Sequence, residues 1–222
     1  YTPGQILDAV LATARSNRVE NGVVKCYAYY PDLDLGPVAP HDVSVAVFCL
    51  DYTVLGVEPD KYAHPLCVGI SSYRKLHPAT AAVHAKITGN YTNGYLARTE
   101  VRRKGFDDAL MLDTEGRIAE APTANIFLVK DRCVRTPSDE NVLPGITRKV
   151  VMDVLEDMKI TTAQSPILPG DLSTFDEAFL SGTLRHVQPI LRIEDHELDC
   201  PGPITRALVD RMHEVYLGRV KR

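Results

Sequence analysis

No CxxC pair occurs in this sequence, although five cysteines are present, at positions Cys26, Cys49, Cys67, Cys133 and Cys200. They are scattered and odd in number, which speaks against a disulfide framework or a zinc site. A reducing cytoplasm is the simplest expectation. The seven histidines show no HxxxH spacing, so no metal centre is expected. GxSxG, GxGxxG and Walker patterns are missing as well. The net charge is only −4, which argues against a nucleic-acid or membrane-surface partner. No apolar run approaches the length of a membrane span, and no signal-peptide pattern opens the chain. Asn90-Tyr91-Thr92 fits a glycosylation sequon, but without a secretion signal it carries little weight.

What is present is a chain of 222 residues, 45% of them hydrophobic, enough to bury a sizeable core. Pro3 suits a first helical turn, and Ile6, Val10, Leu11 and Ala14 form the apolar stripe of a helix running to about Ser16. Val23 to Tyr30 and Val43 to Leu50 read as strands, separated by a Pro- and Gly-rich loop from Leu33 to Pro40. One helix and two strands do not close a domain. Residues 1–55 therefore read as the later part of a small α/β domain whose start is missing from this sequence. Residues 56–65 read as a linker.

The remainder, 66–222, reads as one larger, β-rich domain. Leu66 to Ser71 is strand-like, and Tyr73 to Pro78 a basic loop. A helix follows from Tyr91 to Lys104-Gly105. Strands are expected at Ala109 to Asp113, Arg117 to Glu120, Asn125 to Lys130 and Cys133 to Thr136, the last two as a hairpin across Asp131-Arg132. Pro144-Gly145-Ile146-Thr147 opens a helix. Ile160 to Ala163, Glu177 to Ser181 and His186 to Ile193 are strand-like, and Ile204 to Leu217 is a closing amphipathic helix. The order is mixed, hence an α+β or α/β fold with a mostly antiparallel sheet.

Four stretches carry residues suited to chemistry. Lys86 stands before Gly89-Asn90 with Ala85 and Ile87 beside it. An apolar setting disfavours the charged form of an amine. A neutral amine attacks aldehydes, the chemistry by which enzymes hold pyridoxal phosphate. A surface lysine is the plainer alternative. Tyr91, Tyr95 and Arg98 recur at helical spacing and share a face. Glu120 ends a strand, where a carboxylate can face a pyridine nitrogen; it can equally be an exposed strand end. The helix start at Ile146 and Thr147 offers free N–H groups and a hydroxyl to an anion, or ordinary capping. Ser181-Gly182-Thr183 lets the backbone approach a ligand closely, or makes a tight turn.

Taken together, KITGNY from Lys86, GFDDALMLD, GRIAEAPTANIFLV, TPSDENVLPGITR and EAFLSGT resemble the class IV (fold-type IV) pyridoxal-phosphate aminotransferases. Order and spacing fit over about residues 80–217. The resemblance implies a partial N-terminal α/β domain followed by a β-rich pseudo-barrel with flanking helices. It implies pyridoxal 5′-phosphate as cofactor and ping-pong transfer of an amino group between an L-amino acid and a 2-oxo acid. By resemblance, Lys86 is the Schiff-base lysine and Tyr91 the partner of the cofactor phenolic oxygen. Glu120 matches the carboxylate on the pyridine nitrogen, with Asn125 just beyond it. Ile146, Thr147 and Thr183 match phosphate contacts, and the backbone from Thr183 through Leu184 to Arg185 matches the place of the substrate carboxylate.

GNY after the lysine is most similar to the branched-chain aminotransferases. Two departures put that substrate in question. The strand that carries a Tyr-x-Arg pattern in those enzymes reads Val23-Val24-Lys25 here, and Lys25 keeps the charge without the planar fork of arginine. Leu184-Arg185-His186 is also bulkier and more basic than the family's usual residues. A polar amino acid substrate, a D-amino-acid transaminase and a lyase similar to aminodeoxychorismate lyase remain alternatives, as does a product that no longer binds cofactor. A homodimer is expected from the family and from Tyr27, Tyr29, Tyr30, Leu33 and Leu35. Adjacent strand residues face opposite sides, so Tyr29 and Tyr30 do not share one core.

Overall fold

The structure, a computed structural model, describes residues 1–31, 42–55, 64–216 and 218. The loop from Leu33 to Pro40, with Leu33 and Leu35, lies outside the described residues, as does most of the expected linker. The chain divides into two units, Tyr1–Asp60 and Lys61–Arg222.

In the first unit, α1 (Pro3–Ser16) begins with a capping box: Gln5 N donates to Thr2 Oγ1 and Thr2 N donates to Gln5 Oε1. Ile6, Val10 and Ala14 are half-buried, but Leu11 is exposed, and Ala9 and Thr13 complete the inward face instead. Strands β1 (Gly22–Tyr29) and β2 (Ser44–Asp51) pair antiparallel, from Gly22 opposite Asp51 to Tyr29 opposite Ser44. A one-turn helix, α2 (Tyr52–Leu55), follows.

The second unit holds β3 (Leu66–Ile70), α3 (Thr92–Arg103), β4 (Asp108–Leu110), β5 (Glu120–Ala121), β6 (Ala124–Lys130) and β7 (Cys133–Thr136). Then come α4 (Ile146–Asp157), β8 (Thr161–Gln164), β9 (Glu177–Gly182), β10 (His186–Ile193), β11 (His196–Glu197) and α5 (Pro203–Tyr216). The sheet order is β4-β3-β10-β9-β6-β7-β8, with β5 on β6 and β11 on β10. Beyond β4, Met111 N donates to Glu120 O and Ala119 N to Met111 O, each at 3.0 Å. These bonds tie β4 to β5 and close β4-β3-β10-β9-β6-β5 into a ring.

Alternation fills both sides of that ring. Ala124, Ile126 and Leu128 of β6 and Ala178 and Leu180 of β9 point into one apolar cluster with Val68, Leu110 and Ile190. Phe127 and Val129, one residue out of phase, join Phe179 on the other face. There Phe127 and Phe179 stack with ring centroids 4.9 Å apart. Val150, Val151, Val154 and Leu155 of α4 and Ile204, Leu208, Val209 and Met212 of α5 cover them. Ala97 and Val101 of α3 cover Ala109 and Met111.

The sheet is mostly antiparallel, as expected, with parallel pairs among its strands. Among the described residues five strand pairings are antiparallel, but β3–β10, β3–β4 and β7–β8 are parallel. The expected strand at Arg117 to Glu120 is reduced to an isolated bridge, Leu112 to Ile118, and the two residues of β5. The helix expected from Tyr91 starts as a 3-10 turn, Thr88–Tyr91, and becomes α-helical at Thr92.

Candidate active site

One cavity of about 290 Å³ in the second unit is lined by Lys86, Tyr91, Glu120, Asn125, Ile146, Thr147 and Thr183. Lys86 rides on a run of turns between β3 and α3. Asn90 fixes this run: its Nδ2 donates to Ala82 O at 2.9 Å and Ala85 O at 3.2 Å. Ala85, Lys86 and Ile87 are all exposed. The apolar enclosure expected around the lysine is therefore not supplied by its neighbours, because the turns face both flanking side chains outward.

Glu120 is buried at the foot of the cavity. Its Oε2 accepts from Asn125 Nδ2 at 3.0 Å and Leu143 N at 3.2 Å. Its Oε1 pairs with Lys75 Nζ. Burial pushes the carboxyl above its ordinary value, and the Lys75 charge pulls it partly back. Tyr91 is half-buried. Desolvation first, and then the charge on Glu120, hold its phenol protonated beyond the usual range. Tyr95 and Arg98 do not join Tyr91 in the cavity wall. Tyr95 is 65% exposed, and Arg98 Nε donates to Asp108 Oδ1 at 2.8 Å.

Ile146 and Thr147 open α4, whose N-cap, Gly145, brings no capping side chain. A Cβ at Gly145 would lie 2.5 Å from Asn125 Oδ1, so only glycine lets the helix start sit this close to Glu120's partner. Ser181, opposite Asn125 in register, also lines the cavity. Its buried hydroxyl has no hydrogen-bond partner. Thr183 stands at the rim, exposed. Leu184 and Arg185 do not line the cavity. Leu184 is 55% exposed. Arg185 is committed elsewhere, to Asp108 at 2.8 Å and Gln188 Oε1 at 2.9 Å. Lys25 belongs to the first unit, exposed on β1 opposite Phe48.

The wall thus offers an amine, a buried carboxylate, a phenol, an uncapped helix start and an orphaned hydroxyl. That donor set fits a pyridine ring carrying an aldehyde and a phosphate: the carboxylate for a ring nitrogen, the helix start for the anion. Sequence reasoning named Ser181 only as part of a turn and missed Lys75, whose partner Glu120 is distant in the chain; the role of Asn90 is local, in the turns that carry Lys86.

A family model described as amino-transferase class IV matches residues 1–193. The chain belongs to this family. A probable branched-chain-amino-acid aminotransferase of Synechocystis is 35% identical over 161 residues, covering 71% of this chain and 53% of that protein. The chain thus spans about half the length of that class IV relative. The crystal structure of the branched-chain aminotransferase of Thermoproteus uzoniensis with norvaline is similar at a TM-score of 0.92 and 29% identity, over 100% of this chain and 73% of that one. The branched-chain enzyme of Thermobaculum terrenum in its PLP form matches at 0.92 and 27%, over 99% and 72%. Among the described residues of this class IV chain, no group of acidic, histidine and cysteine side chains is arranged to hold a metal. No described helix is long and apolar enough to cross a membrane.

Proposed function

We propose that this chain carries the cofactor-binding part of a pyridoxal-phosphate-dependent aminotransferase acting on an L-amino acid and a 2-oxo acid, branched-chain substrates first among them. In this reading residues 66–222 are the cofactor domain, and residues 1–55 the later part of a small domain joined by the 56–65 linker. The observation that carries it is the convergence of Lys86, Tyr91, Glu120 and the α4 start on one cavity. The class IV family and the PLP form of the Thermobaculum relative support it.

Bound pyridoxal phosphate supplies an aldehyde for amines and a protonated ring that withdraws electrons. Lys86 Nζ anchors that aldehyde and moves the proton at the substrate α-carbon. The Tyr91 hydroxyl orients the ring through its phenolic oxygen. Glu120, fixed by Asn125, keeps the ring nitrogen protonated. The N–H groups at Ile146 and Thr147, with the Thr147 and Thr183 hydroxyls, hold the phosphate. Of the stretch Thr183 to Arg185, the backbone at Thr183, which alone lines the cavity, receives the substrate carboxylate. A homodimer belongs to the same proposal, supported by the exposed Tyr27, Tyr29, Tyr30 and Phe48.

Borohydride reduction of the loaded protein, followed by peptide mapping, should find the cofactor on Lys86. Amino acids incubated with 2-oxoglutarate should yield glutamate, leucine, isoleucine and valine fastest. Cofactor attached elsewhere would overturn the lysine assignment, and pyruvate from aminodeoxychorismate without an acceptor would favour the lyase. Sedimentation of a clean monomer with full turnover would remove the dimer.

A further inference from the structure

Lys75 is a second cation of the cavity, and the proposed chemistry does not use it. Its place is built with some care. Lys75 N donates to Leu112 O at 2.8 Å, just past the end of β4. The loop before it is tied at two more points. Glu100 Oε2 accepts from Ser71 Oγ at 2.6 Å and Ser72 N at 2.9 Å. Asn93 Nδ2 donates to Arg74 O at 2.9 Å. The backbone is thus fixed where the side chain can reach Glu120, and Nζ meets Oε1.

The two oxygens of Glu120 divide their partners. Oε2 takes the neutral donors of Asn125 and Leu143, and Oε1 takes the ammonium. Arg148, the other cation whose charge reaches Glu120, spends its guanidinium on Asp139 and on Pro137 O at 2.8 Å. Tyr91 faces the carboxylate as a neutral phenol. Lys75 is therefore the direct counter-ion. A carboxylate buried this deeply with neutral donors alone takes up a proton rather than remain charged.

We infer that Lys75 is a positioning residue that keeps Glu120 a fixed, ionised carboxylate, ready to receive the ring nitrogen of the ligand. The inference rests on the function proposed above. Without the ammonium, Glu120 holds its own proton and meets the ring as a neutral acid. Burial already raises Glu120, and the Lys75 charge is the foremost influence lowering it.

The test is the dissociation constant of pyridoxal 5′-phosphate from the full-length protein, followed across acid and neutral pH. In Lys75→Met the acid limb of binding should move up by about one pH unit or more. Lys75→Arg should restore it. A merely structural role would weaken binding alike at every pH. An unmoved limb in Lys75→Met overturns the inference while leaving the proposed function standing. If the unaltered protein binds no cofactor, both fall. Should Lys75→Met not fold, Lys75→Met/Glu120→Gln takes its place. With neither charge left unpaired it should fold, and its failure to do so would overturn the counter-ion role.

Discussion

Gly145 and Asn125 approach more closely than a side chain would permit, with 2.5 Å from a hypothetical Cβ to Asn125 Oδ1. Gly145→Ala must push Asn125 away from Glu120 or tilt the start of α4. We expect a loss of about 1–3 kcal/mol in urea denaturation and weaker cofactor binding, measured by equilibrium titration. Unchanged stability and binding would show that the loop yields freely. At this scale residue type and motif together brought forward Glu120 and Thr147, and both line the cavity. It was silent about commitments. Arg185 stands beside Thr183 in the chain and looked free to meet a substrate, yet Asp108, buried on a distant strand, takes its guanidinium. Lys75 lay in a stretch read only as a basic loop. Nothing local distinguishes a lysine in water from one aimed at a carboxylate across the cavity.

Helices and hairpins were more legible, because their signals are local. Asp131 and Arg132 connect β6 and β7 with φ of 48° and 60°, the left-handed pair of a two-residue hairpin turn. Aspartate tolerates that region but arginine does not, so Arg132→Gly, which makes the favoured Asp-Gly pair, should stabilise the protein by about 0.5–1 kcal/mol in urea denaturation. The start of α5 is set less visibly. Glu177 Oε1 accepts from Ile204 N at 3.0 Å and Oε2 from Thr205 N at 2.7 Å, placing negative charge at the helix N-terminus. Glu177→Ala leaves those amides unpaired and should cost about 1–3 kcal/mol, read as a lowered melting temperature. On α3, hydrogen bonds from Lys104 and then Ser71 hold Glu100 down at about 2. A lowered folded-state value stabilises above the ordinary carboxylate range and is lost as pH falls through about 2. Glu100→Gln should therefore be less stable than the unaltered protein at neutral pH, and the two stability curves should meet near pH 2. Curves that run parallel down to that pH would remove the carboxylate from the account.

For the molecule as a whole, β6 and β9 could be read as strands from their apolar runs, but the partners of β3 and β4 could not. A parallel pairing leaves no turn signal, and its two strands are joined only through everything between them. The ring closure predicts slow amide exchange at Met111 and Ala119, comparable with Phe127 and Phe179 in the core; rapid exchange there would mean an open seam. The pairing of Leu66 with Ile190, and of Val68 with Ile193, also sets a timetable. On the ribosome β3 emerges long before the strand it must lie beside. At ~5–20 residues per second, roughly 6 to 25 seconds separate the two. Throughout that interval the edge of β3 that will pair with β10 keeps its N–H and C=O groups unmatched, open to a wrong strand just when the earlier half of the chain is already made.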